Sequence, residues 1–512
     1  MQIFIVNPAA ENFGFAFITP RCLAVLAAAT PDESYVERLV VIDQTVQDFP
    51  IDEVKKGDLV GISIHTLNAL HGYRLAKEVK QRGATVVFGG AHAGVYQEEA
   101  LEHGDAVVEG DGETIWPRVV EDHRKGQLQS IYQGGRVSAE NLIAARWDLM
   151  KLDAYSMASV QTVRGCPKNC SFCSVWVMDG RTPRLRGNDL IVEEARYLYS
   201  RGFRLVMLAD DNFYPYTLQD IREARTPEDL KTLEQGMAER YDLMERLATQ
   251  VPEGMSFFTQ ITMEVGDDPE YLAAMKKARI RGALIGIESV TPEGLKATNK
   301  HFNSTGQELR DKINRIRTQG FPYILGSFIL GIETDTEESF RSTAEFVKDS
   351  GLTLAQFVPM LPLPGTVDFR LMLKGKKALT LKDPSYKYWL DPNHPRVIYD
   401  HPHLSADQII AGVRHSWRTF YSLGAIWERS RLMGFTKRLK HLLIYFVICK
   451  AYFSLYWRYG LATDSTSRKN DRKRASWLGA TVNRFCKAAP STFSPTPVSS
   501  TAGPANTVGG TG

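Results

Sequence analysis

Short apolar runs of strand length alternate with amphipathic stretches of helix length along most of this chain, in two separate blocks. In the first block, IFIVNP, RLVVID, DLVGISIH, ATVVFGGAH and DAVVEGDGE are spaced by segments such as LHGYRLAKEVKQRG. Parallel strands need a crossover between them, usually a helix, so this spacing specifies an α/β fold with a parallel sheet covered on both faces. Residues 1–140 are expected to form a doubly wound, Rossmann-like domain with its ligand edge at the carboxyl ends of the strands. After a linker at 141–155, the second block offers SVQTVR, FRLVMLAD, SFFTQIT, GALIGIE, YILGSFILG and LAQFVPM. Six strands with intervening helices predict a partial (β/α)6 barrel of the TIM type over 156–375, with its site at the carboxyl strand ends. The charged stretch 217–250 interrupts the spacing and is expected to lie outside the barrel as an insert. Residues 376–475 read as a helical, basic and aromatic C-terminal region. The Pro-, Ser-, Thr- and Gly-rich stretch 476–512 reads as a disordered tail.

The six cysteines, at 22, 166, 170, 173, 449 and 486, are too few and too uneven for a disulfide framework. The first residues, MQIFIVNPAAENFGF, lack a basic segment followed by a long apolar one, so a cytoplasmic protein is expected. Three of the cysteines fall in TVRGCPKNCSFC, directly after a strand candidate. Thiolates are the usual ligands of iron-sulfur clusters, and three of them leave one iron of a four-iron cubane open to substrate. The alternatives are a structural zinc site, or an electron-transfer cluster completed by Cys22, Cys449 or Cys486; none of these three has a paired Cys or His spacing.

The run Arg164, Gly165, Cys166, Pro167, Cys170, Phe172, Cys173 resembles the cluster loop of the radical S-adenosylmethionine superfamily, and the resemblance extends from about Val160 to Phe369. It implies a 4Fe-4S cluster on Cys166, Cys170 and Cys173 whose open iron chelates the amino and carboxylate groups of S-adenosylmethionine. One electron then cleaves that molecule to methionine and a 5′-deoxyadenosyl radical. The resemblance further implies ligand contacts for Asp210, Asp211, Asn212 and Phe213 after LVML, and for Glu288 and Ser289 after ALIGI. Capping of the following helix is the alternative for each residue taken singly. Gly326, Gly331 and the loop 333–336 resemble the family's later glycine-containing strand, where the adenine approaches the backbone; a bulge is the alternative.

A doubly wound domain directly before such a barrel resembles the cobalamin-binding module of one branch of the superfamily. That branch includes the anaerobic magnesium-protoporphyrin IX monomethyl ester cyclase and the hopanoid methylases. The matching residues are Ser63, His65 and Thr66, then Gly89, Gly90 and His92, then Gly110, Asp111, Gly112 and Glu113. The resemblance implies cobalamin against these turns. An Asp-x-His-x-x-Gly pattern is absent from 1–135, so a histidine below cobalt is not expected. A vestigial or nucleotide-binding domain is the alternative, with His65 and His92 as hydrogen-bonded loop histidines.

The net charge of +3 conceals an asymmetry: between Arg429 and Arg474 twelve Lys/Arg face two acids, which leaves the rest of the chain at −7. Within this basic region Leu442–Trp457 is strongly apolar, yet it carries Lys450 and is shorter than the roughly twenty residues that span a bilayer. It predicts either an interfacial helix drawn to anionic lipid or a buried helix closing the barrel. No nucleic-acid-reading motif accompanies the basic residues, so nucleic acid is not an expected partner.

Together these features predict a cobalamin-dependent radical enzyme that cleaves S-adenosylmethionine and methylates a carbon of an apolar lipid-, terpenoid- or tetrapyrrole-like substrate. It would be fed by a reductase or a flavodoxin- or ferredoxin-type donor and would sit in the cytoplasm, peripheral to the inner membrane face. An oxidative cyclase without methyl transfer, and a non-catalytic iron-sulfur protein, are the competing readings. The sequence assigns no catalytic acid or base.

Overall fold

The computed structural model describes residues 1–9, 18–391, 396–434 and 439–461. The first sheet contains β1 (Gln2–Asn7), β2 (Arg38–Asp43), β3 (Leu59–Ser63), β4 (Thr85–Gly89), β5 (Ala106–Gly110) and β6 (Ile131–Gly135), all parallel, in the order β2-β1-β3-β4-β5-β6. The five expected strands are present, and β6 is an addition that the apolar pattern missed, because IYQGG buries chiefly Tyr132. β1 and β3 are buried along nearly their whole length, as strands covered by helices on both faces must be. Helix Trp116–Arg124 lies so close to β3 that a Cβ on Gly61 would stand 2.9 Å from the Trp116 ring, which accounts for a glycine inside a strand. The strand order reverses between β1 and β3, and that switch point opens a crevice at the carboxyl edge.

The second sheet starts at β7 (Ala158–Val160). A short hairpin of β8 (Val163–Arg164) and β9 (Arg184–Leu185) then frames the cysteine loop. The sheet continues with β10 (Leu205–Leu208), β11 (Ser256–Ile261), β12 (Ile280–Glu288), β13 (Tyr323–Leu330) and β14 (Leu354–Pro359). The order β7-β10-β11-β12-β13-β14 is sequential and all parallel, which is the predicted six-stranded open barrel.

An open barrel has two edges, and each is covered by a different end of the chain. At β7, Ile18 bridges to Met157 in parallel, and the Ser159 N–H donates to Thr19 Oγ1 at 2.9 Å. At β14, side chains of the C-terminal helices serve the outer backbone groups. Trp417 Nε1 donates to the Phe357 carbonyl at 2.8 Å, the Tyr421 hydroxyl to the Ala355 carbonyl at 2.8 Å, and the Tyr445 hydroxyl to the Thr353 carbonyl at 2.8 Å.

The charged stretch expected to be an insert is instead the crossover between β10 and β11, and this reading is corrected. Helix Pro227–Gln250 lies between helices Asn188–Ser200 and Pro269–Lys277 and buries Met237, Leu243, Met244 and Leu247. Its charged majority faces solvent and concealed this narrow apolar stripe.

The C-terminal region is helical over Ala406–Phe420, Leu423–Leu432 and Leu439–Leu461. The last helix divides its surface: Tyr445 and Cys449 are buried, whereas Leu439 and Leu443 are 70% and 57% exposed. The whole of the tail at 476–512, with Cys486, lies outside the described residues, as do residues 462–475. No helix among the described residues is long and apolar enough to cross a membrane.

Candidate functional site

The chain leaves β7 at Val160, whose carbonyl accepts the Ala209 N–H at 2.8 Å, and turns directly into the cysteine loop. Asp210, at the end of β10, receives the Thr162 and Val163 N–H groups at 2.6 and 3.0 Å, together with the Thr162 hydroxyl. Arg240 from the crossover helix donates to Thr162 Oγ1 at 2.8 Å and lies 3.7 Å from Asp210. Asp210 is fully buried; burial pushes its carboxyl upward while Arg240 and the Thr162 donors pull it down. It is an anchor for the root of the loop, with its carboxylate already engaged by protein.

The next carboxylate, Asp211, accepts the Gly165 N–H at 2.7 Å. Burial, then repulsion from Asp179, pushes Asp211 up to about 7. Gly165 itself has φ +93, and a Cβ there would stand 2.9 Å from the Thr182 carbonyl, so the turn into Cys166 admits only glycine. Asn212 is buried and spends its amide on local backbone, accepting the Tyr214 and Thr262 N–H groups and donating to the Tyr214 carbonyl. Phe213 is buried under the Arg240 guanidinium, 4.0 Å from its ring centre.

The far side of the loop is tied as firmly. Trp176 Nε1 donates to the Cys170 carbonyl at 2.9 Å, the Ser171 N–H to the Thr298 carbonyl at 3.1 Å, and Asn299 Nδ2 to the Asn169 carbonyl at 2.9 Å. Glu288 adopts φ +65 at the end of β12, a strained setting for a non-glycine residue, and its carboxylate meets Lys300 Nζ at 2.8 Å. A Cβ on Gly286 would stand 2.2 Å from that carboxylate and 2.6 Å from the ammonium, so this glycine makes room for the pair. Burial alone would depress Lys300, but Glu288 and Cys170 beside it raise it. Ser289 turns aside, with its hydroxyl 3.1 Å from that of Thr291.

Burial pushes the Cys166 thiol up to about 12 and Cys170 up to about 11, and raises Cys173 as well; charge on Cys173 lifts the first two further. Three sulfurs close enough to repel as thiolates, held in a fixed loop beside one buried ammonium, need compensating metal charge to ionise. Among the described residues no three His, Cys, Asp or Glu converge as the ligands of a single ion would. Three thiols on one short loop suit an iron-sulfur cluster by their chemistry, and among the described residues no fourth cysteine joins them. Cys22 lies in the wall of the N-terminal cavity, and Cys449 is buried in the last helix.

That cavity, about 360 Å³, lies between the carboxyl edge of the first sheet and the barrel mouth. Ser63, Gly89, Gly90, Gly110, Asp111, Gly112 and Glu113 line one side, while Gln161, Arg164, Asp179 and Ala209 close the other. The glycines divide by role. Gly90 (φ +90) and Gly110 (φ +83) are required by neighbouring backbone, since a Cβ would stand 2.7 Å from the Ile64 carbonyl and 2.3 Å from the Gly135 carbonyl, respectively. Only at Gly89 of these would a Cβ meet nothing within 4 Å, so its missing side chain leaves space for a ligand.

Three of the expected residues are not among those lining the cavity. His65 caps its own turn, with Nδ1 accepting the Leu67 N–H at 3.2 Å, and Thr66 lies in the same turn. His92 is buried with Nε2 3.1 Å from Glu99 and its ring against Tyr96 and Trp389. Among the described residues no histidine lines the cavity.

Asp111 and Glu113 do line it, but their charge is already paired. Arg164 reaches both at 2.7 Å, and Arg184 reaches Asp111 at 2.6 Å. The turn after β5 is thus clamped to the residue two positions before Cys166. Arg164 was visible in the motif without its partners; Lys300, Asp179, Arg184 and Arg240 carried no local signal, because each acquires its role from a residue far away in the chain.

Gly326 and Gly331 have their open sides filled by protein. A Cβ would stand 2.6 Å from Leu352 at the first and 2.6 Å from the Tyr399 hydroxyl at the second. Asp335 in the following loop accepts the Gly331 and Ile332 N–H groups and closes that loop, and Thr336 caps the next helix by accepting the Ser339 N–H.

The Radical SAM superfamily matches residues 160–347 and the B12 binding domain matches residues 16–120. The bacteriochlorophyllide d C-12(1)-methyltransferase of Chlorobaculum tepidum is 26% identical over 419 residues, 80% of this chain and 84% of that protein. The anaerobic magnesium-protoporphyrin IX monomethyl ester cyclase of Rubrivivax gelatinosus is 23% identical over 408 residues, 71% of this chain and 68% of that protein. Among solved structures, the radical S-adenosylmethionine methyltransferase TsrM of Kitasatospora setae, with cobalamin and a 4Fe-4S cluster bound, superposes with a TM-score of 0.62. That likeness covers 82% of this chain and 88% of the other at 15% identity, and it is one of fold.

Proposed function

We propose that this chain, a radical SAM superfamily enzyme carrying a B12 binding domain, is a cobalamin-dependent methyltransferase acting on a carbon of an apolar small molecule. The observation that carries this reading is the shared cavity: one side is the carboxyl edge of the B12-binding sheet, and the other is the strand end that leads into the cysteine loop. Held by the cysteine loop, a cluster would supply the electron that cleaves S-adenosylmethionine, and a corrinoid bound in the cavity would supply the transferable methyl group.

The chain's own residues hold and shield these groups. Cys166, Cys170 and Cys173 provide three thiolates, while the Lys300–Glu288 pair sets the charge beside two of them. Gly89 leaves room at the sheet edge, and Ser63 and the Arg164 clamp line the approach from either side. Cys170 is buried and Cys166 and Cys173 are half-buried, which limits access of water to the sulfurs.

A flavodoxin- or ferredoxin-type electron donor and association with a membrane face complete the proposal. Anaerobic reconstitution followed by assay with methyl-labelled S-adenosylmethionine, with and without cobalamin, tests it on extracts rich in candidate apolar substrates. Deoxyadenosine formation with cobalamin-dependent label in the product supports methyl transfer. Deoxyadenosine with product but no label replaces it by cyclase-type chemistry, and no deoxyadenosine from reduced protein overturns the enzyme reading altogether.

A further inference from the structure

Twelve large hydrophobic side chains stay exposed among the described residues, and seven of them lie between Leu423 and Val447. On the last helix Leu439, Leu443, Phe446 and Val447 recur at i, i+4, i+7 and i+8, which places them on one stripe. The same helix buries Tyr445 and Cys449 toward the barrel, so its stripe is not the face that closes β14. Leu423 and Trp427 repeat the pattern, four residues apart, on the preceding helix, at 62% and 48% exposure. Arg429 Nε donates to the Tyr445 hydroxyl at 3.1 Å and ties the two helices together. Such a concentration of exposed apolar side chains marks a docking surface.

Charge selects the occupant. The stretch from Arg429 to Arg474 carries +10 and the rest of the chain −7. A second copy would bring two such basic stretches face to face, and nucleic acid would leave the leucines uncovered. An anionic bilayer satisfies both properties, receiving the apolar stripe at its acyl boundary and the basic residues at its headgroups. It would repel the acidic remainder, so the molecule would dock with this end down.

We infer that helices Leu423–Leu432 and Leu439–Leu461 form a surface that binds the headgroup region of anionic membranes. This deepens the membrane-face part of the proposed function and is independent of methyl transfer. The test is flotation of the full chain, purified anaerobically with its cluster, with phosphatidylcholine vesicles with and without phosphatidylglycerol. The protein is expected to float with the anionic vesicles only and to be released by high salt. Leu439→Glu with Leu443→Glu, and separately Arg431→Glu, are each expected to lower partitioning about tenfold or more, with deoxyadenosine formation retained. Failure of the unmodified protein to float at low salt overturns the inference, as does unchanged flotation in both variants. Light scattering that shows a dimer abolished by Leu443→Glu overturns it in favour of a second copy. Deoxyadenosine formation, read in the same samples, reports on the chemistry separately.

Discussion

At the barrel mouth, the backbone of the cysteine loop is held by Asp210, Asp211, Trp176, Thr298 and Asn299 before any cofactor is considered. At the sheet edge of the N-terminal region the ligand space is made by an omission, the side chain that Gly89 lacks, and the charged residues beside it are paired with the barrel. The first site is therefore rigid by hydrogen bonding, and the second is open by sterics. The two share a wall through Arg164, so changes at the sheet edge are felt two residues from Cys166.

The largest effect expected is from Cys170→Ala, which should reduce deoxyadenosine formation to background while the far-ultraviolet circular dichroism is kept; residual cleavage would show that the loop does not hold the cluster. Asp210→Ala should come next, because it leaves the buried Arg240 without its counter-charge and two N–H groups without their acceptor. A loss of about 3–5 kcal/mol in urea-derived stability is expected, and a loss below about 1 kcal/mol would mean the loop is not anchored there.

The sheet edge should respond differently. Gly89→Val is expected to weaken cobalamin binding about tenfold or more by filling ligand space, with the unfolding midpoint and cobalamin-free cleavage of S-adenosylmethionine kept. Gly90→Ala should instead cost about 1–3 kcal/mol of stability, because its φ of +90 suits glycine. If both act alike in a cobalamin titration and in thermal unfolding, the division of roles between the glycines is wrong.

The smallest effect separates the two regions by pH. In the cluster-free protein, Asp211 is pushed up to about 7, so folding favours its protonated form. Its contribution is full below its unfolded value of about 4 and is lost as pH rises through about 7. Glu99, in the N-terminal region, is also pushed up by burial, but hydrogen bonds from His92, Lys387, Trp389 and Tyr73 outweigh this and hold it at about 2. Its contribution is full above about 4 and is lost as pH falls toward 2. Urea midpoints across pH should lose the first dependence in Asp211→Asn and the second in Glu99→Gln; an unchanged profile in either variant refutes that assignment.

Eleven of the strands were legible in the apolar runs, because buried parallel strands need consecutive Val, Ile and Leu. β6 was not, having little apolar length, and the crossover helix was taken for an insert because four buried apolar residues are diluted by a charged surface. At the site, the three cysteines were legible because their spacing is local. The surroundings of His65 and His92 were not legible, since a polar residue at a strand end looks the same whether it faces a ligand or caps a turn.

Sequence alone thus determined the two parallel sheets and the cysteine clip, since both are encoded in period and spacing over a few neighbouring residues. Only the tertiary structure decided that Asp111 and Glu113 clamp Arg164, that Lys300 sits beside Glu288, that Asp210 anchors the loop, and that opposite ends of the chain close the two barrel edges. Each of these joins residues 12 to more than 100 positions apart. A buried charge is tolerated only where such a distant partner arrives, and no local pattern records which partner that will be.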